Sequence, residues 1–189
     1  MSELHTSLEK DIASLHRQAE LDREVARPIR FILSDVDGVL TDGRINIDNE
    51  GVETKSFHVR DGMGIKQWQK SGMGFGILTA RDSKVVQFRA SELKIQTVRQ
   101  GFSEKLPAAI EIFKELKLSP EEVCYIGDDL PDIPVLRGVG LRVAVSDAAV
   151  DVRRAASWTT RCTGGSGAVR ELIERLMRAQ GSWEEYLSG

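Results

Sequence analysis

The sequence predicts an α/β fold: a doubly wound, mostly parallel sheet with a β-hairpin flap and no large cap domain. Three observations predict it. Short apolar runs alternate with longer segments of helical periodicity, the pattern of repeated βα units. Several of those runs stop abruptly at polar residues, at Asp35/Asp37, Thr79 and Asp128, and the carboxyl ends of parallel strands are where such sheets hold ligands. Between the first run and the first long helix lies a segment, residues 44–59, that alternates on both sides of Gly51, as a hairpin does.

The chain has 189 residues, 41% hydrophobic and 29% charged, with net charge -3, enough for one α/β domain with a real core. No Lys/Arg run is long enough to make nucleic acid or an anionic membrane the main partner. No apolar run reaches spanning length and the charged N-terminus lacks a signal-peptide core, so a cytoplasmic protein is expected. Cys124 and Cys162 are far apart, and Cys124 sits in an apolar run, which suits an inert buried thiol. With histidines only at positions 5, 16 and 58, a His/Cys zinc site and a Ser-His-Asp triad are disfavoured. Chemistry must rest on carboxylates, Lys, Arg and hydroxyls.

In chain order, residues 1–27 carry Leu4, Leu8, Ile12, Leu15 and Ala19 at helical spacing and predict an amphipathic helical extension, ended by Arg27-Pro28. The main domain then runs over 28–180. Its first strand spans 29–34 and ends in Asp35-Val36-Asp37-Gly38. Side chains two apart on a strand share a face, so Asp35 and Asp37 leave its end together. Such a pair is expected around a cation or a shared proton, although Asp also serves as an ordinary helix cap.

After the hairpin, a helix over Ile65 and Trp68 stops at Ser71-Gly72. Gly72, Gly74 and Gly76 precede a strand, the wrong order for a dinucleotide loop, and are read as a helix stop and a close-packed strand start. That strand, 75–78, ends in Thr79-Ala80-Arg81 and leads to a helix opening at Ser83. A strand at 95–98 is followed by a helix capped by Ser103, with Pro107 in its first turn. Lys105 therefore lies at a helix N-terminus, which favours anions over cations, so it makes sense beside a bound anion. Strands at 123–126, 141–145 and 157–161, a helix at 148–156 and a last helix at 168–179 complete the domain. Gly164-Gly165-Ser166-Gly167 has no Walker Lys and is not a nucleotide loop. Residues 181–189 form a tail.

The strand ends thus gather Asp35/Asp37, Thr79, Lys105 and Asp128/Asp132, a set suited to phosphate and a divalent cation. Carboxylates are hard ligands for Mg²⁺, and Thr and Lys supply a donor and a charge for phosphate oxygens.

Asp35-Val36-Asp37-Gly38-Val39, Thr79, Lys105 and Gly127-Asp128-Asp129-Leu130-Pro131-Asp132 resemble, in order and position, the four motifs of the haloacid dehalogenase superfamily. Asp35 to Gly43, Phe57 to Gly62, Leu78 to Arg81, Tyr125 to Asp132 and Gly164 to Glu171 are similar to the 3-deoxy-D-manno-octulosonate (KDO) 8-phosphate phosphatase family. The resemblance implies a Mg²⁺-dependent phosphatase of lipopolysaccharide precursor synthesis. In it Asp35 is the nucleophile and Asp37 the acid and base. Thr79 and Lys105 hold the phosphoryl group, and Asp35, the Asp37 carbonyl and Asp128 hold Mg²⁺. Asp129 and Asp132 stand behind them.

Arg60 and Arg81 are candidates for the sugar acid, since Arg suits planar anions, and Gly43 and Asp61 join them as substrate-site residues. The family also implies a homotetramer without a large cap, in which a neighbour's hairpin or tail helps close the site. Many members carry Arg where this chain has Ser166, which bears on the sugar accepted. The readings left open are a phosphatase for KDN 9-phosphate or sialic acid 9-phosphate, a phosphotransferase or mutase, and a non-catalytic oligomeric scaffold for a sugar-nucleotide synthetase.

Overall fold

The computed structural model describes residues 20–188. Most of the expected N-terminal helix, residues 1–19, lies outside the described residues. Its end, 20–26, is helical and is tied to the domain by a two-pronged Asp22–Arg175 pair at 2.7 Å.

Six strands, β1 (Phe31–Ser34), β4 (Gly74–Leu78), β5 (Thr97–Arg99), β6 (Val123–Gly127), β7 (Leu141–Ala144) and β8 (Trp158–Thr159), form one sheet in the order β5-β4-β1-β6-β7-β8. Every pairing in it is parallel. The chain moves outward from β1 through β4 to β5, then returns to the other side of β1 with β6. That reversal beside β1 is where an open sheet offers a crevice. β1 and β6 are buried along their whole length, which explains their unbroken apolar runs.

After the helical segment 20–26, the α-helices are α1 (Val59–Lys70), α2 (Lys84–Glu92), α3 (Lys105–Leu116), α4 (Ile133–Leu136), α5 (Val150–Ala155), α6 (Ala168–Gln180) and α7 (Trp183–Ser188). The α1 helix lies along α6. Its Trp68 is fully buried and donates from Nε1 to the Gly74 carbonyl at 2.7 Å. A Cβ at Gly74 or Gly76 would come within 2.4 or 2.7 Å of the Phe31 ring, so these glycines serve close packing of β4 on β1.

The hairpin, β2 (Asn46–Ile47) with β3 (Glu53–Thr54), has two residue pairs. It is shorter than the sequence alternation predicts because Asp48 Oδ1 accepts from the Glu50 and Val52 amides and closes the turn early. Two further expectations change. The cap position before α3 is Glu104, with no side-chain cap bond, in place of Ser103. The C-terminal residues form α7, whose Trp183 is buried and lies under the guanidinium groups of Arg170 and Arg178. The tail therefore docks on its own domain. Among the described residues no helix is long and apolar enough to cross a membrane.

Candidate active site

Five elements deliver polar side chains to the carboxyl ends of β1, β4 and β6. Asp35 follows β1 and is nearly buried. Its Oδ1 accepts the Val36 amide at 2.7 Å, and its Oδ2 pairs with Lys105 Nζ at 2.8 Å. Gly38, at φ +90°, bends the chain where a Cβ would fall 2.0 Å from Asp128 Oδ2, so the loop after β1 and the loop after β6 touch only because that residue is glycine. Thr41, also buried, accepts from the Gly43 amide at 3.2 Å and donates to the Val36 carbonyl at 3.4 Å. Gly43, at φ +75°, packs on Gly38. Sequence reasoning passed over Thr41, whose small hydroxyl looks like any loop residue.

Lys105, the first residue of α3, is 3% exposed and bridges Asp35 and Asp132, reaching Asp132 Oδ1 at 2.6 Å. Burial alone would pull its ammonium down, but the carboxylates of Asp35 and Asp132 outweigh that and raise it, so it stays charged. Asp132 is saturated with donors. Tyr125 Oη gives to Oδ1 at 2.7 Å, and the Asp128 and Asp129 amides give to Oδ2 at 2.9 and 3.2 Å. A Cβ at Gly127 would fall 2.4 Å from Asp132 Oδ2, so β6 closes directly over this carboxylate.

Asp128 is treated differently. Its Oδ1 is buried with no hydrogen-bond partner among the described residues. Desolvation, followed by the charges of Asp35 and Asp132, pushes its carboxyl up to about 8. Desolvation and Asp132 likewise push Asp35 up to about 6 despite Lys105. Carboxylate oxygens of Asp35, Asp128 and Asp132 lie within 4.8 Å of one another. Because Asp132 has spent its lone pairs on four donors, Asp35 and Asp128 are the carboxylates with capacity for a divalent cation. Such an ion would offset the desolvation and the neighbouring negative charge that raise both.

Thr79 directly follows β4 and is buried. Asp37 faces the hairpin, where its Oδ1 accepts from Lys55 Nζ while its Oδ2 lies 3.6 Å from Arg81 Nε. Arg81 is half exposed and also binds Glu53 Oε1 at 2.7 Å. Glu53 and Lys55 were missed in the sequence because alternating polar residues on a hairpin read as a solvated face.

The structure does not bring Asp61 to this cluster. Asp61 is buried and accepts the Arg170 amide at 2.7 Å, capping the first turn of α6, where free amides and the helix dipole favour an anion. Arg60 and Ser166 instead line a groove of about 960 Å³ along α6 with Arg170, Glu174 and Arg175. None of Asp35, Asp37, Thr79, Lys105 or Asp128 lines that groove.

Residues 95–172 match a family model described as haloacid dehalogenase-like hydrolase. The chain is 46% identical over 160 residues, 85% of each protein, to the 3-deoxy-D-manno-octulosonate 8-phosphate phosphatase KdsC of Escherichia coli strain K12. Two solved structures are similar. One is the 3-deoxy-D-manno-octulosonate 8-phosphate phosphatase of Moraxella catarrhalis in complex with magnesium ion, phosphate ion and KDO. It has a TM-score of 0.87 and 38% identity, over 88% of this chain and 96% of that one. The other is the cobalt-bound form of the Haemophilus influenzae deoxy-D-mannose-octulosonate 8-phosphate phosphatase, with a TM-score of 0.82 and 37% identity, over 86% of this chain and 99% of that one.

Proposed function

Because the chain belongs to the 3-deoxy-D-manno-octulosonate 8-phosphate phosphatase family, we propose that Asp35, Asp37, Thr79, Lys105 and Asp128 carry out its phosphoric monoester hydrolysis, with KDO 8-phosphate as substrate and KDO and phosphate as products. The observation that carries the assignment is the Asp35–Lys105 pair at 2.8 Å beside an Asp128 oxygen that has no hydrogen-bond partner among the described residues. It joins a nucleophile, a phosphoryl cation and a cation ligand within one cluster.

In the first half-reaction an Asp35 oxygen bonds to phosphorus and the phosphorus–sugar oxygen bond breaks. The carboxyl proton of Asp37 goes to the departing sugar oxygen. In the second, a water oxygen bonds to phosphorus, its proton passes to Asp37, and the bond to Asp35 breaks to restore the carboxylate. Thr79 and Lys105 hold the transferring oxygens through a hydroxyl donor and an ammonium that stays charged. Asp35, the Asp37 carbonyl and Asp128 would hold Mg²⁺, which when bound neutralises phosphoryl charge.

Arg81 is our candidate for the sugar's carboxylate, being half exposed beside Asp37; Gly43 shapes the loop beneath. For the assembly we propose a homotetramer built on the flaps. Ile45, Ile47 and Val52 are exposed on the hairpin, and a two-pair hairpin wants a partner.

The test is phosphate release from KDO 8-phosphate, KDN 9-phosphate, sialic acid 9-phosphate and hexose phosphates, with and without Mg²⁺. Mg²⁺-dependent turnover focused on KDO 8-phosphate is expected. Preference for a nine-carbon acid would move the substrate, and inactivity of folded protein on all of them would favour the scaffold.

A further inference from the structure

Lys55 is the one flap cation whose side chain is buried, at 1% exposure, yet it belongs to a hairpin with two residue pairs. A buried lysine is costly unless paired. Its partners are Asp37 Oδ1 and, at 3.4 Å, Glu53 Oε1. Glu53 also accepts from Ser83 Oγ at 2.6 Å and pairs with Arg81 at 2.7 Å. The Ser83 hydrogen bond is the chief reason that its carboxyl lies low, at about 2. Glu53 thus fastens the flap to the loop after β4, and that fastening aims Lys55 at Asp37.

The consequence for Asp37 is an asymmetric grip. Lys55 takes one oxygen. The other, Oδ2, is buried and has no hydrogen-bond partner among the described residues; the nearest charge is Arg81 Nε at 3.6 Å. Carboxylate torsions are broad, and proton transfer needs its donor held within hydrogen-bond reach of the reacting oxygen. A single strong contact on Oδ1 sets the direction of Oδ2.

We propose that Lys55 is a positioning residue that holds Asp37 so that Oδ2 meets the departing sugar oxygen and then the attacking water. This rests on the reading of Asp37 as acid and base given above.

The test uses full-length Lys55→Met and Lys55→Arg with Mg²⁺, on KDO 8-phosphate and on 4-nitrophenyl phosphate, by steady-state and rapid-quench kinetics. A sugar alkoxide needs a proton to leave; a nitrophenolate does not. For Lys55→Met, kcat on KDO 8-phosphate should fall about 100-fold, the scale of general acid–base catalysis, with KM within about threefold. On 4-nitrophenyl phosphate the variant should release about one equivalent of nitrophenolate per site in a burst and then turn over slowly, because the phosphoenzyme forms unaided but hydrolyses poorly. Lys55→Arg should keep most of the activity.

Equal losses on both substrates without a burst would make Lys55 a structural latch and overturn the proposal; so would unchanged kinetics. If Lys55→Met fails to fold by circular dichroism, Lys55→Gln is held to the same criteria. Wild-type inactivity on KDO 8-phosphate would overturn the underlying substrate reading, whereas active wild type with an unaffected variant overturns the Lys55 assignment alone.

Discussion

Replacing Asp128 by Asn should make the metal-free protein more stable while removing Mg²⁺-dependent turnover. Unfolded, the Asp128 carboxyl titrates near its ordinary value of 3.8; folded, it is pushed up to about 8 by desolvation and by Asp35 and Asp132. A carboxyl raised by folding binds more protons in the native state, so its contribution is fully present below about pH 4 and is lost as pH rises to about 8. At pH 7 the shift corresponds to an upper bound of about 4 kcal/mol of destabilisation. An asparagine avoids the charge but still buries an amide in the place of Oδ1, for which the described residues offer no hydrogen-bond partner, and this returns about 1–3 kcal/mol. The expected net gain is roughly 1–3 kcal/mol, or about 3–10 °C in Tm for a domain of this size.

The assay is thermal unfolding of both proteins in EDTA from pH 4 to 8, repeated with Mg²⁺. The advantage of Asp128→Asn should vanish near pH 4, grow toward pH 8, and disappear when Mg²⁺ stabilises the wild type by mass action. A variant less stable than wild type at pH 8 without metal would refute the argument. So would an advantage that does not depend on pH.

Three further outcomes are expected. Asp35→Asn should lower turnover at least about 10³-fold while circular dichroism and oligomeric state stay unchanged, since an amide cannot form the phosphoenzyme; near-wild-type activity would remove Asp35 as nucleophile. Trp183→Ala should lower stability by about 2–4 kcal/mol in denaturant unfolding, because it empties a site buried under two guanidinium groups, whereas unchanged stability with altered substrate handling would favour the tail as a lid. Ile47→Asp, on the exposed flap face, should shift light-scattering mass toward the 21.0 kDa monomer, and an unshifted mass would locate the assembly contact elsewhere.

The strands were legible because a parallel sheet buried on both faces demands unbroken apolar runs, and 31–34 and 123–127 supply them. The strand-end cluster was legible because strand geometry sends Asp35, Thr79 and Asp128 to the same rim. Other features depend on tertiary contacts that no local pattern carries. Four-residue α4 has too little periodicity to detect. Asp61 lies within a motif-like stretch, yet its partner is the Arg170 amide, 109 positions away. Trp183 looks like a loose aromatic near a terminus until α6 is beneath it. Lys55 sits in an alternating polar run and is buried because Asp37 and Glu53 pair with it, Glu53 being held in turn by Arg81 and Ser83.

The hardest distinction to read from sequence is the one among the aspartates themselves, and the structure makes it by counting donors. Asp132 receives Lys105, Tyr125 and two backbone amides, so its charge is fully occupied in fixing Lys105 and the β6 loop. Asp35 receives one amide and shares Lys105, an arrangement that suits the nucleophile role proposed for it. Asp37 is gripped on one oxygen, and Asp128 has an oxygen that receives no hydrogen bond from the described residues. Moving a donor between these groups should therefore change chemistry before it changes fold. Tyr125→Phe takes one donor from Asp132 and frees it to compete for Lys105. If Lys105 holds the phosphoryl group as proposed, KM for the phosphate ester should rise while circular dichroism stays unchanged, since β6 is buried along its whole length; an unchanged KM would refute the coupling.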